Sequence, residues 1–377
     1  MKIREIIFES IKPALMEGAR IAHAEDLVFF EGSAGGLRAV NSLLGLMKNK
    51  DTLSIKWDGS PAIVAGRDDD GTFIMTDKSG FTAKGYNGLY KSAKEFVAQK
   101  RTKGVAEDYL AQIVSIWPIV ESAFPPNFRG FILGDIMWFP GELSESGNKF
   151  VFTPNTVTYE VDKDSDLGGR IAGSKAGLAV HTFIAEHGGG SFPLKDTGGL
   201  NLDGPLCILG PEIKNEASLQ HDSVRAKQIL QYLKKNAKAI DTFLNAETLS
   251  SLKMSGMPDL LYNYVNAQTK TRDLSLLYEK FLPWVQSNQR LSKAMVQKVA
   301  EYAKTNAAGL KAIFTAFDHI TELKLDIIHQ LDVHNGPVMA HVSGTRGGEG
   351  YVNAHPDGPI KLVNRLGFSQ ANFGNND

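Results

Sequence analysis

Three charged residues, far apart in the chain, have the types and the order that phosphoryl chemistry needs: Lys56, Glu349 and Lys361. Lys56 opens the tetrapeptide Lys56-Trp57-Asp58-Gly59, within an apolar run from Leu53 to Val64 that reads as a buried strand. A lysine in such surroundings is costly unless its charge is used or suppressed. A lysine that attacks the α-phosphate of a nucleoside triphosphate must be unprotonated, so its pKa has to fall from about 10.4 towards neutrality. Partial burial and nearby cations do this, and a metal on the triphosphate is one such cation. Lys361, in Ile360-Lys-Leu-Val, is a candidate second cation that also neutralises charge building up on the phosphate in the transition state. The metal needs hard oxygen ligands. Glu349 of Glu349-Gly-Tyr-Val and Asp135 of Gly134-Asp-Ile-Met-Trp supply them from strand ends. Two carboxylates, a nucleophilic lysine and a distant lysine suffice for metal-assisted nucleotidyl transfer.

Each of these residues also has an ordinary structural use. Lys56 fits an edge strand beside a turn, and Asp135 fits a turn cap after a strand. Glu349 lies in the glycine-rich stretch Ser343-Gly-Thr-Arg-Gly-Gly-Glu-Gly, where a solvated charge is common. That stretch lacks the Lys-Ser/Thr of a nucleotide loop followed by a helix. It is the order of the motifs along the chain that favours the chemical reading. His329, His334 and His341 are irregularly spaced and form no i, i+4 pair on a helix, which argues against a histidine metal cluster.

The elements that must hold these residues fall into three textures. Residues 1–50 read as helices, Ile3 to Met16 and Gly36 to Met47, the second with Leu37, Val40, Leu43, Leu44 and Met47 as a buried stripe. From about Leu53 to Leu209 the pattern is short β-rich runs separated by Gly, Pro, Asn and Asp. Strands are expected at Ile63 to Gly66, Thr72 to Thr76, Phe131 to Trp138, Val157 to Val161 and Leu178 to Ile184, with helices at Ala93 to Gln99 and Val105 to Phe124. Ser218 to Asn335 is nearly free of glycine and reads as helices over 223–244, 258–265, 274–287, 293–305 and 310–331. β texture returns for Val338 to Val342, Gly350 to Asn353 and Ile360 to Val363. The predicted organisation is a β-rich domain in two parts, 1–217 and 336–377, interrupted by an α-helical insertion, 218–335.

The totals are those of an ordinary globular chain: 377 residues, 42% hydrophobic, 22% charged, formal net charge −1. That length suggests about two domains. With Cys207 as its one cysteine the chain has no internal disulfide and no thiolate metal cluster, so a reducing cytoplasm is the expectation, as are a monomer and no membrane partner. The helical block carries 15 Lys+Arg against 11 Asp+Glu. Its Lys234, Lys235 and Lys238, and then Lys293, Lys298 and Lys304, recur at helical spacing, which suits either a clamp on nucleic-acid phosphates or a solvated helical face. Arg67, Lys78, Lys84 and Lys91 form a second basic series just past the Lys56 strand.

On these motifs the chain resembles the covalent nucleotidyltransferase superfamily of ATP-dependent DNA and RNA ligases and mRNA capping enzymes. Ile55-Lys-Trp-Asp-Gly-Ser-Pro-Ala-Ile, Phe152-Thr-Pro-Asn-Thr-Val, Val180-His-Thr and Lys361-Leu-Val-Asn-Arg look closer still to an uncharacterised group of tailed-phage proteins. If the chain is phage-encoded, its place is the host cytoplasm. The match spans roughly residues 20–190 and 338–373, and the helical block has no ligase counterpart. The resemblance implies an α+β fold, a ligase-type adenylation domain with antiparallel sheets. It implies that Lys56 forms the covalent AMP adduct, with Ile55, Trp57, Asp58 and Gly59 completing the first motif. Lys78 or Ser79 falls where a polar or basic pair contacts ribose and nucleic-acid phosphate. Asp135 stands for the acidic residue that contacts ribose, and His181 or Phe183 for the aromatic on adenine. Glu349 stands for the metal-proximal glutamate, and Lys361 for a lysine on the α-phosphate.

The expected activity is thus an ATP-dependent polynucleotide ligase acting with Mg2+, sealing 5′-phosphate/3′-hydroxyl nicks through lysyl-AMP. Nicked duplex DNA is preferred over RNA as partner, with Arg67, Lys78, Ser79, Lys84, Lys234 and Lys238 as nucleic-acid contacts. An RNA strand-joining ligase is the alternative; a capping guanylyltransferase and a non-catalytic phage binding protein stand further off. There are departures from the pattern. Pro61 stands where DNA ligases often carry Arg, and Val363 replaces the second lysine of the usual Lys-x-Lys. Only fourteen residues follow Val363, so the reading contains no C-terminal β-barrel (OB-fold) domain.

Overall fold

In the computed structural model the β-rich and helix-rich stretches segregate into two units. The first comprises Met1–Arg20, Leu53–Glu216 and His334–Gly350, the second Ile21–Thr52, Ala217–Val333 and Tyr351–Asp377. The structure describes residues 22–48, 53–81, 90–187, 189–194, 196–197, 199–210, 219, 223–271, 273–333, 338–342, 344–353 and 358–366. The helix expected at Ile3 to Met16 lies outside them. The result is a mixed α+β architecture with mainly antiparallel sheets.

The described elements start in the second unit with strand β1 (Ala22–His23), a 3-10 turn (Ala24–Asp26) and helix α1 (Leu27–Lys48). The first unit follows with β2 (Leu53–Lys56), β3 (Ala62–Arg67), β4 (Phe73–Asp77), a one-turn α2 (Lys78–Phe81), α3 (Ala93–Thr102) and α4 (Glu107–Ser122). Next come β5 (Gly130–Trp138), β6 (Ser144–Ser146), β7 (Lys149–Phe152), β8 (Val157–Asp162), α5 (Asp166–Ala172), β9 (Ala176–Ile184), β10 (Ser191–Pro193) and β11 (Leu206–Leu209). The second unit resumes with α6 (Ser223–Phe243), α7 (Ala246–Ser251), α8 (Met257–Lys270), α9 (Leu277–Ser287), α10 (Lys293–Thr305) and α11 (Ala307–Val333). Strands β12 (Val338–Val342), β13 (Thr345–Arg346), β14 (Gly350–Asn353) and β15 (Ile360–Leu362) close the chain.

The first unit is built on a sheet of order β10-β9-β5-β3-β4, with β11 added parallel to β9. Strand alternation sorts its side chains onto two faces. Ile63, Ala65, Ile132, Ile136, Leu178, Val180 and Phe183 join one core with Leu110, Ile113, Ile116, Trp117 and Val120 of α4. The intervening residues Val64, Ile74, Phe131 and Ile184, with Leu133, form a smaller cluster on the opposite face around Phe81. Asp135 shares the parity of Phe131 and Leu133, so it stands on the face away from α4. A second sheet, β13-β12-β8-β7-β6, is antiparallel throughout, its central pairing running from Val338↔Val161 to Val342↔Val157.

In the second unit α1 bends at Gly32, whose φ of 63° a glycine adopts without cost. Ser33 restarts the helix by donating from its N to Asp241 Oδ1 (2.8 Å) and from its Oγ to Asp241 Oδ2 (2.7 Å). The break therefore precedes the one expected at Gly36. Gly36 serves packing instead, since a Cβ there would stand 2.7 Å from Leu233 Cδ2 of α6. Phe29 of α1 stacks on Phe317 of α11 at 5.3 Å, and Phe314 of α11 meets Phe281 of α9 at 5.8 Å. The helices of 218–335 thus share their core with α1, and the paired strands β1 and β15, with β14 from Tyr351 on, group with them. Helix α7, opened by an Asn245 side chain that accepts from Thr248 N (2.8 Å), is an element the periodicity did not reveal.

One carboxyl in this helical core titrates unusually. Burial first, then the nearby charges of Glu322 and Glu279, push Asp318 up to about 7. Its folded pKa lies above its unfolded one, so ionising it opposes folding, and stability falls as pH rises through the window from about 4 to about 7. Asp318→Asn mimics the neutral form. Thermal melts should show the variant more stable than wild type at pH 8, with the difference fading towards pH 4; equal gains at both pH values would refute the assignment.

Candidate active site

Lys56 ends β2, and the chain then turns through Trp57-Asp58-Gly59 into β3. The turn is fixed from both sides. Asp58 is buried, with 5% of its surface exposed. Its Oδ1 accepts from Asn155 Nδ2 (2.9 Å), and its Oδ2 accepts from the backbone N–H groups of Thr156 (2.8 Å) and Val157 (2.9 Å). Its own N–H donates to the Tyr159 hydroxyl at 2.7 Å. Trp57 donates from Nε1 to the Gly210 carbonyl (3.0 Å) and leans on Tyr159 at 5.1 Å. Asp58 is therefore a strut between the first motif and the β7–β8 connection, its lone pairs spent on that loop.

Gly59 explains the next step. A Cβ there would lie 2.5 Å from Asp135 Cβ and 2.9 Å from Met137 Sδ, so only glycine lets the turn lie on β5. Ser60 N then donates to the Ile136 carbonyl at 2.9 Å. The turn is in this way set against the strand that carries Asp135. A cavity of about 370 Å³ opens alongside, lined by Ser60, Pro61, Met137, Thr153 and Pro154 and by the aromatic ring of Phe152.

Lys56 Nζ forms an ion pair with Glu349 Oε1. Burial raises the pKa of Glu349 above the usual carboxylate range; Lys56 counteracts this, while the charges of Asp58 and Asp135 add to it. Lys56, Glu349, Asp58 and Asp135 are thus electrostatic neighbours within one unit. His181 Nε2 lies 3.5 Å from Asp135 Oδ2, and its Nδ1 is 2.8 Å from Thr182 Oγ1. The register on β5 steps from Leu133↔Thr182 to Gly134↔Val180, which leaves His181 as the extra residue of a β-bulge. The bulge turns His181 out towards Asp135.

The same bulge decides between the two candidate stacking residues. Phe183 returns to the helix-covered face, 1% exposed, with its ring 6.4 Å from that of Phe128. Phe183 is a core residue and offers no face to a ligand. Arg67 is a second correction. Its guanidinium donates to the carbonyls of Phe124, Pro125 and Gly71 at 3.0–3.2 Å. With its donors tied up in a loop, Arg67 closes the end of the sheet and is not a nucleic-acid contact.

The remaining positions are dispersed. Ile55 precedes Lys56 on β2, half-buried. Lys78 and Ser79 begin α2, and their side chains, like all of Lys84 and His334, lie outside the described residues. Lys361 belongs to the second unit, on β15 opposite Val352 of β14 and His23 of β1. Lys227, Lys234 and Lys238 are exposed along one face of α6, with Lys235 beside them. Lys293, Lys298 and Lys304 are exposed on α10, where Lys298 Nζ donates to the Leu252 carbonyl at 3.4 Å. His329 is exposed on α11, and His341 Nδ1 lies 3.8 Å from Glu160 Oε1 on the second sheet. Lys100 was not singled out in the sequence, yet it is 5% exposed, paired with Asp77 and set over the Phe96 ring at 5.6 Å. On the ten-residue helix α3 its type and position are those of a solvated charge.

Among the described residues no three His, Cys, Asp or Glu side chains gather as a metal-binding group, and no helix is long and apolar enough to cross a membrane. Residues 19–376 match the model of a family described as a family of unknown function (DUF6267), and the chain belongs to that family. No curated protein and no solved structure matches the chain.

The Asp58 strut makes a stability prediction. Asp58→Ala takes away the acceptor of the buried Val157 N–H and one acceptor each of Thr156 and Asn155, at a cost of about 3 kcal/mol. Denaturant unfolding should show a loss of that order, and Asp58→Asn a smaller one. A change under 0.5 kcal/mol would mean the loop does not need the carboxylate.

Proposed function

We propose that the chain is an ATP-dependent nucleotidyltransferase of the ligase type that joins polynucleotide ends, with nicked duplex DNA as its substrate. The observation that carries this reading is the Lys56–Glu349 pair, a half-buried amine held by a carboxylate beside Asp135 and next to a cavity. A surface lysine on an edge strand has no use for a buried glutamate whose ionisation is opposed by two other carboxylates.

In the resting site Glu349 holds the Lys56 amine in an ion pair. Glu349 and Asp135 are the carboxylates suited to a divalent ion, since Asp58 is committed to its loop; two protein oxygens are a usual complement for magnesium that also binds phosphates. Magnesium, when bound there, would neutralise the triphosphate and draw electrons from the α-phosphorus. Lys56 must release a proton to water before it can act as a nucleophile, and the step needs Glu349 turned away from it. Lys56 Nζ then attacks the α-phosphorus; an N–P bond forms, the bond to the bridging oxygen breaks, and pyrophosphate departs with that electron pair. The exposed His181 ring is the candidate for the base.

A 5′-phosphate oxygen next attacks the Lys56-bound phosphorus, and Lys56 leaves as a protonated amine. The 3′-hydroxyl of the adjoining end displaces AMP and closes the phosphodiester. The lysines along α6 are assigned to backbone phosphates. Removing Lys227, Lys234 and Lys238 together should weaken binding evenly across sequences and reduce the salt slope by about 1 per lysine. An unchanged slope would leave that face as mere solvated surface.

The decisive experiment is incubation with α-labelled ATP and magnesium after pyrophosphate treatment to discharge any adduct already present. A mass gain of one AMP mapping to Lys56 is expected, absent in Lys56→Ala and about a hundredfold slower in Glu349→Gln. No adduct on the wild-type chain would refute nucleotidyl transfer. Labelled nicked DNA and RNA then report the substrate, and sealing of RNA alone would replace DNA in this reading.

A further inference from the structure

The cavity beside the Lys56 turn lies wholly in the first unit, and the bonds that set the turn also set its walls. Ser60 and Pro61 form one wall. They follow the Asp58-Gly59 turn, and Ser60 N is held on the Ile136 carbonyl at 2.9 Å. Thr153 and Pro154 form another, and Asn155, next in the chain, donates from Nδ2 to Asp58 Oδ1 at 2.9 Å. Asp58 therefore staples both walls together. Met137, on the strand that carries Asp135, lines the cavity as well.

A carboxylate completes the lining. Glu142 Oε1 accepts from Gln112 Nε2 of α4 (2.9 Å), and its Oε2 accepts from the Phe139 N–H (3.0 Å). Both oxygens are held in place although the residue is exposed, and each keeps a lone pair for a further donor. Among the described residues that line the cavity there is no Lys, Arg or His. Its polar groups are the hydroxyls of Ser60 and Thr153, the Gln112 amide and the Glu142 carboxylate. Such a lining repels a phosphate and suits hydroxyl groups. About 370 Å³ is at the small end for a ligand pocket, enough for one sugar and not for a run of nucleotides.

Strand joining brings together two unlike ends. The 5′ end carries its phosphate to the reaction and needs cations around it. The 3′ end brings an uncharged terminal sugar, whose hydroxyl is the attacking group. Only the second suits a cavity that has a fixed carboxylate and no lining cation.

We propose that this cavity is the subsite for the terminal sugar of the 3′-hydroxyl strand, with Glu142 as the group that excludes an end bearing a 3′-phosphate. The proposal rests on the strand-joining reading and names the part of the substrate that the cavity selects.

The test uses the full chain and three labelled duplexes: a nick with a 5′-phosphate and a 3′-hydroxyl, the same nick with a 3′-phosphate, and the intact duplex. Affinity is read by fluorescence anisotropy without ATP, and AMP uptake on Lys56 is measured in parallel. Wild type should bind the 3′-phosphate nick at least about tenfold more weakly than the 3′-hydroxyl nick. Glu142→Gln, which removes the charge and keeps an acceptor, should shrink that ratio to about twofold. Thr153→Phe fills the cavity from an exposed position. It should weaken binding of the 3′-hydroxyl nick about tenfold and leave the intact duplex unchanged.

Equal affinity of wild type for the two nicks overturns the subsite, as does a Thr153→Phe loss that the intact duplex shares. So does a Thr153→Phe chain that binds nicks normally but needs about tenfold more ATP for AMP uptake, for then the cavity holds the sugar of ATP. Should Thr153→Phe not fold, Glu142→Gln decides alone: an unchanged ratio overturns the proposal, and a collapsed one supports it. A wild-type chain that takes up no AMP refutes nucleotidyl transfer and this subsite with it. Uptake of AMP without discrimination between the nicks removes the subsite alone.

Discussion

The candidate site depends on one buried carboxylate. Asp58 accepts three hydrogen bonds from the β7–β8 connection and so joins two stretches that are 97 residues apart, measured from Asp58 to Asn155. Without those bonds the Lys56 turn would lose its tie to the β7–β8 connection and keep only the holds that Trp57 and Ser60 give it. The aromatic stack behind the strut, Trp57 on Tyr159 at 5.1 Å and Tyr159 on Phe152 at 5.4 Å, stiffens both partners. The acidic residue beside a nucleophilic lysine invites a catalytic reading; here its energy goes into geometry.

Two local irregularities do the rest. Gly59 allows the turn to lie on β5 where any side chain would collide with Asp135 and Met137. The extra residue on β9 rotates His181 out of the pleat, towards the carboxylate it would otherwise miss. A regular sheet would have placed His181 and Phe183 on one face, and either could have served as a stacking surface. The bulge separates them, giving one to the solvent-facing side and the other to the core.

What was legible in the sequence follows from the range of the interactions. The α+β class, the strands that carry Asp135 and His181, and the helices from Ser223 to Val333 other than α7 are written in periodicities a few residues long. The nearness of Lys56 and Glu349 was inferred from motif order, which carries information about topology that periodicity does not. Arg67 was misread because its partners are main-chain carbonyls, and any sequence supplies those. Phe183 was misread because a bulge shifts the alternation by one residue without leaving a glycine or proline to mark it. The buried quartet of Glu25, Asp26, Lys324 and Arg365 was invisible because even Asp26 and its partner Arg365 are 339 residues apart and each looks like a surface charge alone. For the same reason the helical stretch was taken for a separate insertion: the stripe on α1 says that something covers it, but not which helix.

The charge balance around Lys56 limits how any nucleotide could enter. One ammonium faces three carboxylates, Glu349, Asp58 and Asp135. Asp58 is neutralised in part by the dipoles of the N–H groups it accepts from, but the other two are not so committed. A bare triphosphate would meet net negative charge in a half-buried site, where repulsion is poorly screened. Burial first raises the pKa of Glu349, and the charges of Asp58 and Asp135 add to that rise. Under the proposed chemistry the triphosphate must therefore arrive already bound to its cation, so that the charge which relieves the carboxylates also frees Lys56. On that proposal the Lys56–Glu349 ion pair and the carboxylates assigned to the metal would be parts of one device, one that releases Lys56 only when its substrate is present.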